Sequence, residues 1–178
     1  MAFEPVGTHA LPKPGEVLLQ HGLAADALPF LIDACQTEPT EWRHPLNLAV
    51  AYRLTGDYSG ANECLAKAIV MAPMAWPIYH TSANLWDDEG KFGVAFEARK
   101  KAWEFCGGKS REVALGLAVS LLRRGEWLEG WRLWEIGRFQ YSWSPPPGLQ
   151  IYTGQDLKGK SLLVLTEGGY GDVFQNAR

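Results

Sequence analysis

The chain has no apolar run approaching the about 20 residues that a bilayer-spanning helix needs, so an integral helical membrane protein is excluded. It also lacks an excess of charge of one sign. Seventeen Lys and Arg stand against 20 Asp and Glu, a net charge of −3, which leaves neither a basic footprint for nucleic acid nor attraction to an anionic membrane surface. Cysteine is scarce: Cys35, Cys64 and Cys106 are odd in number and far apart. That pattern excludes a disulfide framework and reads as buried thiols in a reducing compartment. None of the 4 histidines has a second ligand at metal spacing, so no zinc site is expected. The opening M-A-F-E-P-V-G-T-H-A-L-P-K-P-G has no charged n-region and no apolar core, and so is not read as a secretory signal. Its prolines suggest an extended arm, placed at residues 1–7. These absences point to a soluble, cytoplasmic protein that uses no metal and no cofactor.

What is present is a period. Gly22, Gly56 and Gly90 stand 34 apart, and Gly125 follows at 35. Two positions after three of them comes an aromatic: Tyr58, Phe92, Trp127. Small residues recur at fixed offsets, first Ala27, Ala61, Ala95 and Gly130, then Ala34, Ala68, Ala102 and Gly137. Pro39 and Pro73 keep the beat. Small residues at a period near 34 are the pattern of helix–turn–helix units that stack into a solenoid. The glycine ends the first helix by taking a left-handed cap. The small residues sit where helices cross closely, and the aromatic is expected to fill the gap to the next pair. One unit cannot cover its own apolar face, so about three or more must stack. The pattern resembles tetratricopeptide repeats over residues 8–144, in four units starting near Thr8, Trp42, Trp76 and Arg111. The resemblance implies an all-α, right-handed superhelix of about four helix pairs.

Unit boundaries follow from local punctuation. In the second unit, helices are expected over about Pro45–Thr55 and from the T-G-D-Y turn to about Met71, where Pro73 stops the chain. The third runs through Ala83 and Trp86, turns at E-G-K-F, and ends near Phe105 before Gly107 and Gly108. The fourth holds Leu117, Ala118 and the stretch G-W-R-L-W-E-I-G-R-F. The first has a short helix near Glu16–His21 and a longer one over Ala24–Cys35. Trp127, Trp131 and Trp134 fall on one helical face and are read as core packing, with a sugar-stacking platform as the alternative.

Beyond Trp143, S-P-P-P-G is a stiff linker where helix cannot continue, so residues 145–160 are taken as linker and turn. S-L-L-V-L-T then reads as a short buried strand. E-G-G-Y-G-D and V-F-Q-N-A-R follow as a glycine loop and a helix start. Residues 161–178 are thus a short β-strand, Gly-loop and helix-start fragment. The backbone of Gly168, Gly169 and Gly171 could approach a phosphate at the new helix N-terminus, although Asp172 could equally cap that helix. Tyr152, Gly154, Leu157, Gly159, Lys160, Glu167, Gly169, Gly171, Asp172, Gln175 and Arg178 resemble the junction of bacterial proteins in which tetratricopeptide repeats precede a heptosyltransferase-like glycosyltransferase domain of two Rossmann lobes. That resemblance implies a general-base role for Asp172. Such a domain needs far more chain than follows the linker, so these 178 residues are expected to be truncated and non-catalytic.

The remaining candidate site is the concave groove, lined by the first helix of each unit. The repeat projects Arg43, Asn47, Arg53, His80, Asn84 and Asp87 there, with Arg123 a possible addition. Amides and mixed charges suit a peptide backbone and its carboxylates. Chaperone-tail binders with this repeat use a clamp of Lys, Asn and Arg. Only Asn47 and Asn84 match it, and its lysines are absent, which argues against that partner. The expected function is a protein- or peptide-interaction module. The alternatives are the acceptor-positioning part of a sugar-nucleotide-dependent glycosyltransferase, and a structural protein that self-associates through residues 161–166.

Overall fold

The computed structural model describes residues 13–138 together with residues 156, 158 and 159. The chain divides into two units, residues 1–141 and 142–178. In the second, the backbone N–H of Lys158 donates to Asp156 Oδ1 at 3.0 Å and Gly159 has φ +68°, and Lys158 and Gly159 form a turn. The expected strand and glycine loop, with Gly168, Gly169, Gly171 and Asp172, lie outside the described residues.

The first unit is all-α among its described residues. Its helices are α1 (Pro14–Gln20), α2 (Ala24–Thr37), α3 (Arg43–Thr55), α4 (Tyr58–Met71), α5 (Trp76–Asp88), α6 (Phe92–Phe105), α7 (Arg111–Arg123) and α8 (Trp127–Arg138). They pair as α1/α2, α3/α4, α5/α6 and α7/α8, and each pair stacks on the next. This is the tetratricopeptide-type superhelix of four helix pairs.

The glycine beat is the structural joint. Gly22, Gly56, Gly90 and Gly125 have φ of +76°, +85°, +74° and +80°. Behind each, one backbone N–H reaches five residues back, the hydrogen bond of a Schellman closure: Leu23 to Leu18, Asp57 to Tyr52, Lys91 to Trp86, and Glu126 to Leu121. Each first helix therefore ends with the same closure before the second begins. Asp57 adds a side-chain cap, accepting from the Gly60 N–H at 2.9 Å, of the kind that contributes about 1 kcal/mol.

The small positions behave as crossings. Ala27, Ala61, Ala68, Ala95 and Ala102 are fully buried, and Ala34 is half-buried. At Gly130 an added Cβ would come within 2.7 Å of Leu122 Cδ2, and at Gly137 it would collide with Leu115. A core cluster runs through α2–α5 by way of Leu31, Leu46, Leu65, Ile78 and Leu85. Another joins Phe96, Leu117, Leu121 and Leu133.

Three expectations change. Of the gap-filling aromatics, only Tyr58 packs on a core cluster; Phe92 and Trp127 are exposed. Of the tryptophans read as core, Trp134 packs inward but Trp131 is exposed, because no helix among the described residues follows α8. Cys64 is buried while Cys35 and Cys106 are only half-buried; all three are free thiols. Burial pushes the Cys64 thiol up to about 11, so it is an unreactive thiol at neutral pH.

Candidate binding groove

The first helices α1, α3, α5 and α7 stand side by side, and their polar side chains bond from one to the next. The Asn47 amide donates to Glu16 Oε1 at 3.1 Å, linking α3 to α1. Arg53 Nη1 meets Asp88 Oδ2 at 2.7 Å, linking α3 to α5. His80 Nε2 meets Glu112 Oε1 at 3.1 Å, and Arg123 Nη1 reaches Asp87 Oδ1 at 3.5 Å, both linking α5 to α7. At the N-terminal end, Lys13 and His44 converge on Glu38 at 2.6 and 3.1 Å.

Of the sequence-predicted groove residues, Asn47, Arg53, His80, Asp87 and Arg123 make these links between helices and so are already engaged. Asn47 and His80 are buried rather than solvated. Asn84 lies beside His80, its amide 3.2 Å from the imidazole Nε2. Arg43 bonds Glu41 at 3.1 Å and lies over the Trp42 ring at 4.8 Å. Among the predicted groove arginines, the more accessible guanidiniums are those of Arg43 and Arg123, against the more enclosed Arg53. The hydrogen bond with His80 holds the Glu112 carboxyl below the usual carboxylate range, against the opposing effect of burial. Lys13 and then His44 do the same for Glu38.

Sequence reasoning missed the centre of the network. Arg99 belongs to a second helix, α6, yet its buried guanidinium reaches between α5 and α7. Nη1 meets Asp87 Oδ2 at 2.7 Å and donates to Ser120 Oγ at 3.0 Å. Nη2 donates to Asn84 Oδ1 at 3.0 Å. A signal was there in Gly116, a glycine inside the α7 pattern. Its missing Cβ leaves room for Arg99, whose Nε would lie 2.9 Å from a Cβ there, and a glycine within a helix often marks such close approach. A buried pair of this kind is strongly destabilised, by about 3–5 kcal/mol, when one partner is removed. Asp87 is thus tied both to the buried Arg99 and, at longer range, to the accessible Arg123.

On the other side of the first two units, second helices α2 and α4 border a mostly apolar cleft of about 600 Å³ lined by Cys35, Leu48, Cys64, Val70 and Met71.

No protein-family model matches the chain. Protein FlbA of Caulobacter vibrioides is 32% identical over 130 residues, which covers 68% of this chain and 22% of FlbA. The chain thus spans about a fifth of the length of that curated relative. Among solved structures, TTC0263, a thermophilic tetratricopeptide-repeat protein of Thermus thermophilus, superposes with a TM-score of 0.61 at 19% identity, covering 69% of this chain and 68% of that one. The Yersinia enterocolitica type III secretion chaperone SycD, solved with a peptide of the translocator YopD, gives 0.54 at 19% identity, covering 62% of this chain and 88% of that one. What the chain shares with these solved structures is the tetratricopeptide-repeat fold.

Proposed function

We propose that the chain is a protein-interaction module that holds a peptide or protein segment along its first-helix groove, without catalysis by these residues. The observation that carries this reading is the continuous polar row on α3, α5 and α7, in which Arg123 is held to Asp87 at only 3.5 Å and stays accessible. A ligand carboxylate could take over that guanidinium without breaking the tighter Asp87–Arg99 pair. The solved complex of SycD with a peptide supports the general idea that a fold of this type takes a peptide. The test is a titration of the full chain against a peptide array, followed by Arg43→Glu with Arg123→Glu. Affinity for the selected peptide should fall by roughly tenfold or more, about 1.4 kcal/mol, with the helical content unchanged. Binding that survives this double reversal and is lost on changing Lys100 and Lys101 of α6 instead would place the site elsewhere.

A second reading treats residues 8–144 as the repeat part of a longer sugar-nucleotide-dependent glycosyltransferase, with 145–160 as linker and Asp172 as general base. What supports it is the turn at Lys158 and Gly159, within the stretch that the sequence reading expected to turn. In a chain carrying both lobes, Asp172→Ala should sharply cut transfer and leave the fold intact; full activity of that variant removes the reading. Self-association through residues 161–166 is a third, structural role and would appear as a concentration-dependent sedimentation coefficient.

A further inference from the structure

The outward face of α8 carries Trp127, Leu128 and Trp131, which are 62%, 90% and 54% exposed. Two large indoles and a leucine on one helix form an apolar surface of a kind that usually marks an interaction site. The repeat register says what the surface is shaped for. Counting back 35 residues, Trp127 and Trp131 fall on Phe92 and Phe96 of α6. There the second position is covered by the next first helix, α7, while Phe92 stays 48% exposed with an arginine from that helix over its ring. The Arg123 guanidinium lies 4.1 Å from the Phe92 ring and that of Arg124 lies 4.4 Å from Phe96. Beneath this cover Phe96 is only 8% exposed. So α8 repeats the aromatic half of an interface whose other half, in the preceding unit, is a helix ending in adjacent arginines.

We infer that the Trp127–Leu128–Trp131 face of α8 docks an amphipathic helix of a partner protein whose last turn carries paired arginines or lysines, in the manner in which α7 sits on α6. Indole faces take guanidinium groups better than phenyl rings do, so the substitution of Trp for Phe strengthens the complementarity. The surface is distinct from the first-helix groove and does not depend on a ligand there.

The experiment uses the full chain and a labelled peptide of residues 110–125, S-R-E-V-A-L-G-L-A-V-S-L-L-R-R-G, which holds the arginine pair and no aromatic. Saturable binding by fluorescence anisotropy is expected. It should weaken roughly tenfold when the paired arginines of the peptide, those of Arg123 and Arg124, become glutamate, and equally with Trp127→Ala and Trp131→Ala in the chain. Both indoles are exposed, so the variants should keep the wild-type circular dichroism; a milder pair, Trp127→Phe and Trp131→Phe, should retain most of the binding. Absence of saturation at millimolar peptide overturns the inference, as does binding indifferent to the tryptophans. A dimer in sedimentation that Trp131→Glu abolishes also overturns it, because the face would then belong to a second copy. Blue-shifted emission from Trp131 in the free chain, measured with the other tryptophans replaced by phenylalanine, would mean that the chain itself covers the face.

Discussion

At the scale of single residues, the small side chains carry a definite prediction, because the glycines are not alike. Gly93 lies inside α6 with open space where a Cβ would be. Gly93→Ala should therefore stabilise the chain by about 0.5–1 kcal/mol, through helix propensity and a less free unfolded state. Gly130, at a helix crossing, should do the opposite: its Cβ would meet Leu122 at 2.7 Å, an overpacking that costs about 1–3 kcal/mol. Thermal melts of the two alanine variants decide the matter, and equal shifts would refute the crossing assignment. The equivalent Ala61 and Ala95 are fully buried, so tryptophan at either should destabilise at least as much. These positions were legible in the sequence because a period of 34 can be counted. Arg99 was not, because a charged residue on a second helix reads as solvated until the space beside Gly116 is seen.

At the scale of helices, the joints were legible and the faces only in part. Glycine at a left-handed cap and proline after a helix act locally, so α4 and α6 end at Met71 and Phe105, where the punctuation put them. α3 begins at Arg43, two residues before the expected Pro45, because proline is tolerated within the first helical turn. The face of α8 was misread, since periodicity tells which residues share a side but not whether another helix covers it. Between helices, the His80–Glu112 pair stitches α5 to α7, and it sets a pH dependence. A carboxyl held below its unfolded value contributes stability above about pH 4.3. That contribution is lost as the pH falls through the folded value. Glu112 is more than half exposed, so solvent screening keeps the effect below about 1 kcal/mol. Melting temperature measured from pH 7 to pH 3 should decline at the acid end, and Glu112→Gln should flatten part of that decline. An unchanged acid limb in the variant would mean that the pair contributes nothing.

At the scale of the molecule, stacked pairs make each first helix both a structural strut and part of a continuous face. The polar row does two things that a sequence pattern cannot separate. It gives buried groups such as Arg99 and Asn47 polar partners, and it leaves Arg43 and Arg123 accessible beside them. Sequence reasoning projected the row onto first helices because the repeat fixes which positions line up. It could not tell free groups from paired ones, because the partners come from residues 31–36 positions away. No described helix is long and apolar enough to cross a membrane. The central claim is that partners meet the first-helix face. Its most direct test is in-cell photo-crosslinking with a benzophenone side chain placed singly at Arg43, Arg123, Glu97 and Lys101. Adducts from the first two positions and none from the exposed α6 positions are the predicted result; adducts confined to Glu97 and Lys101 would contradict it.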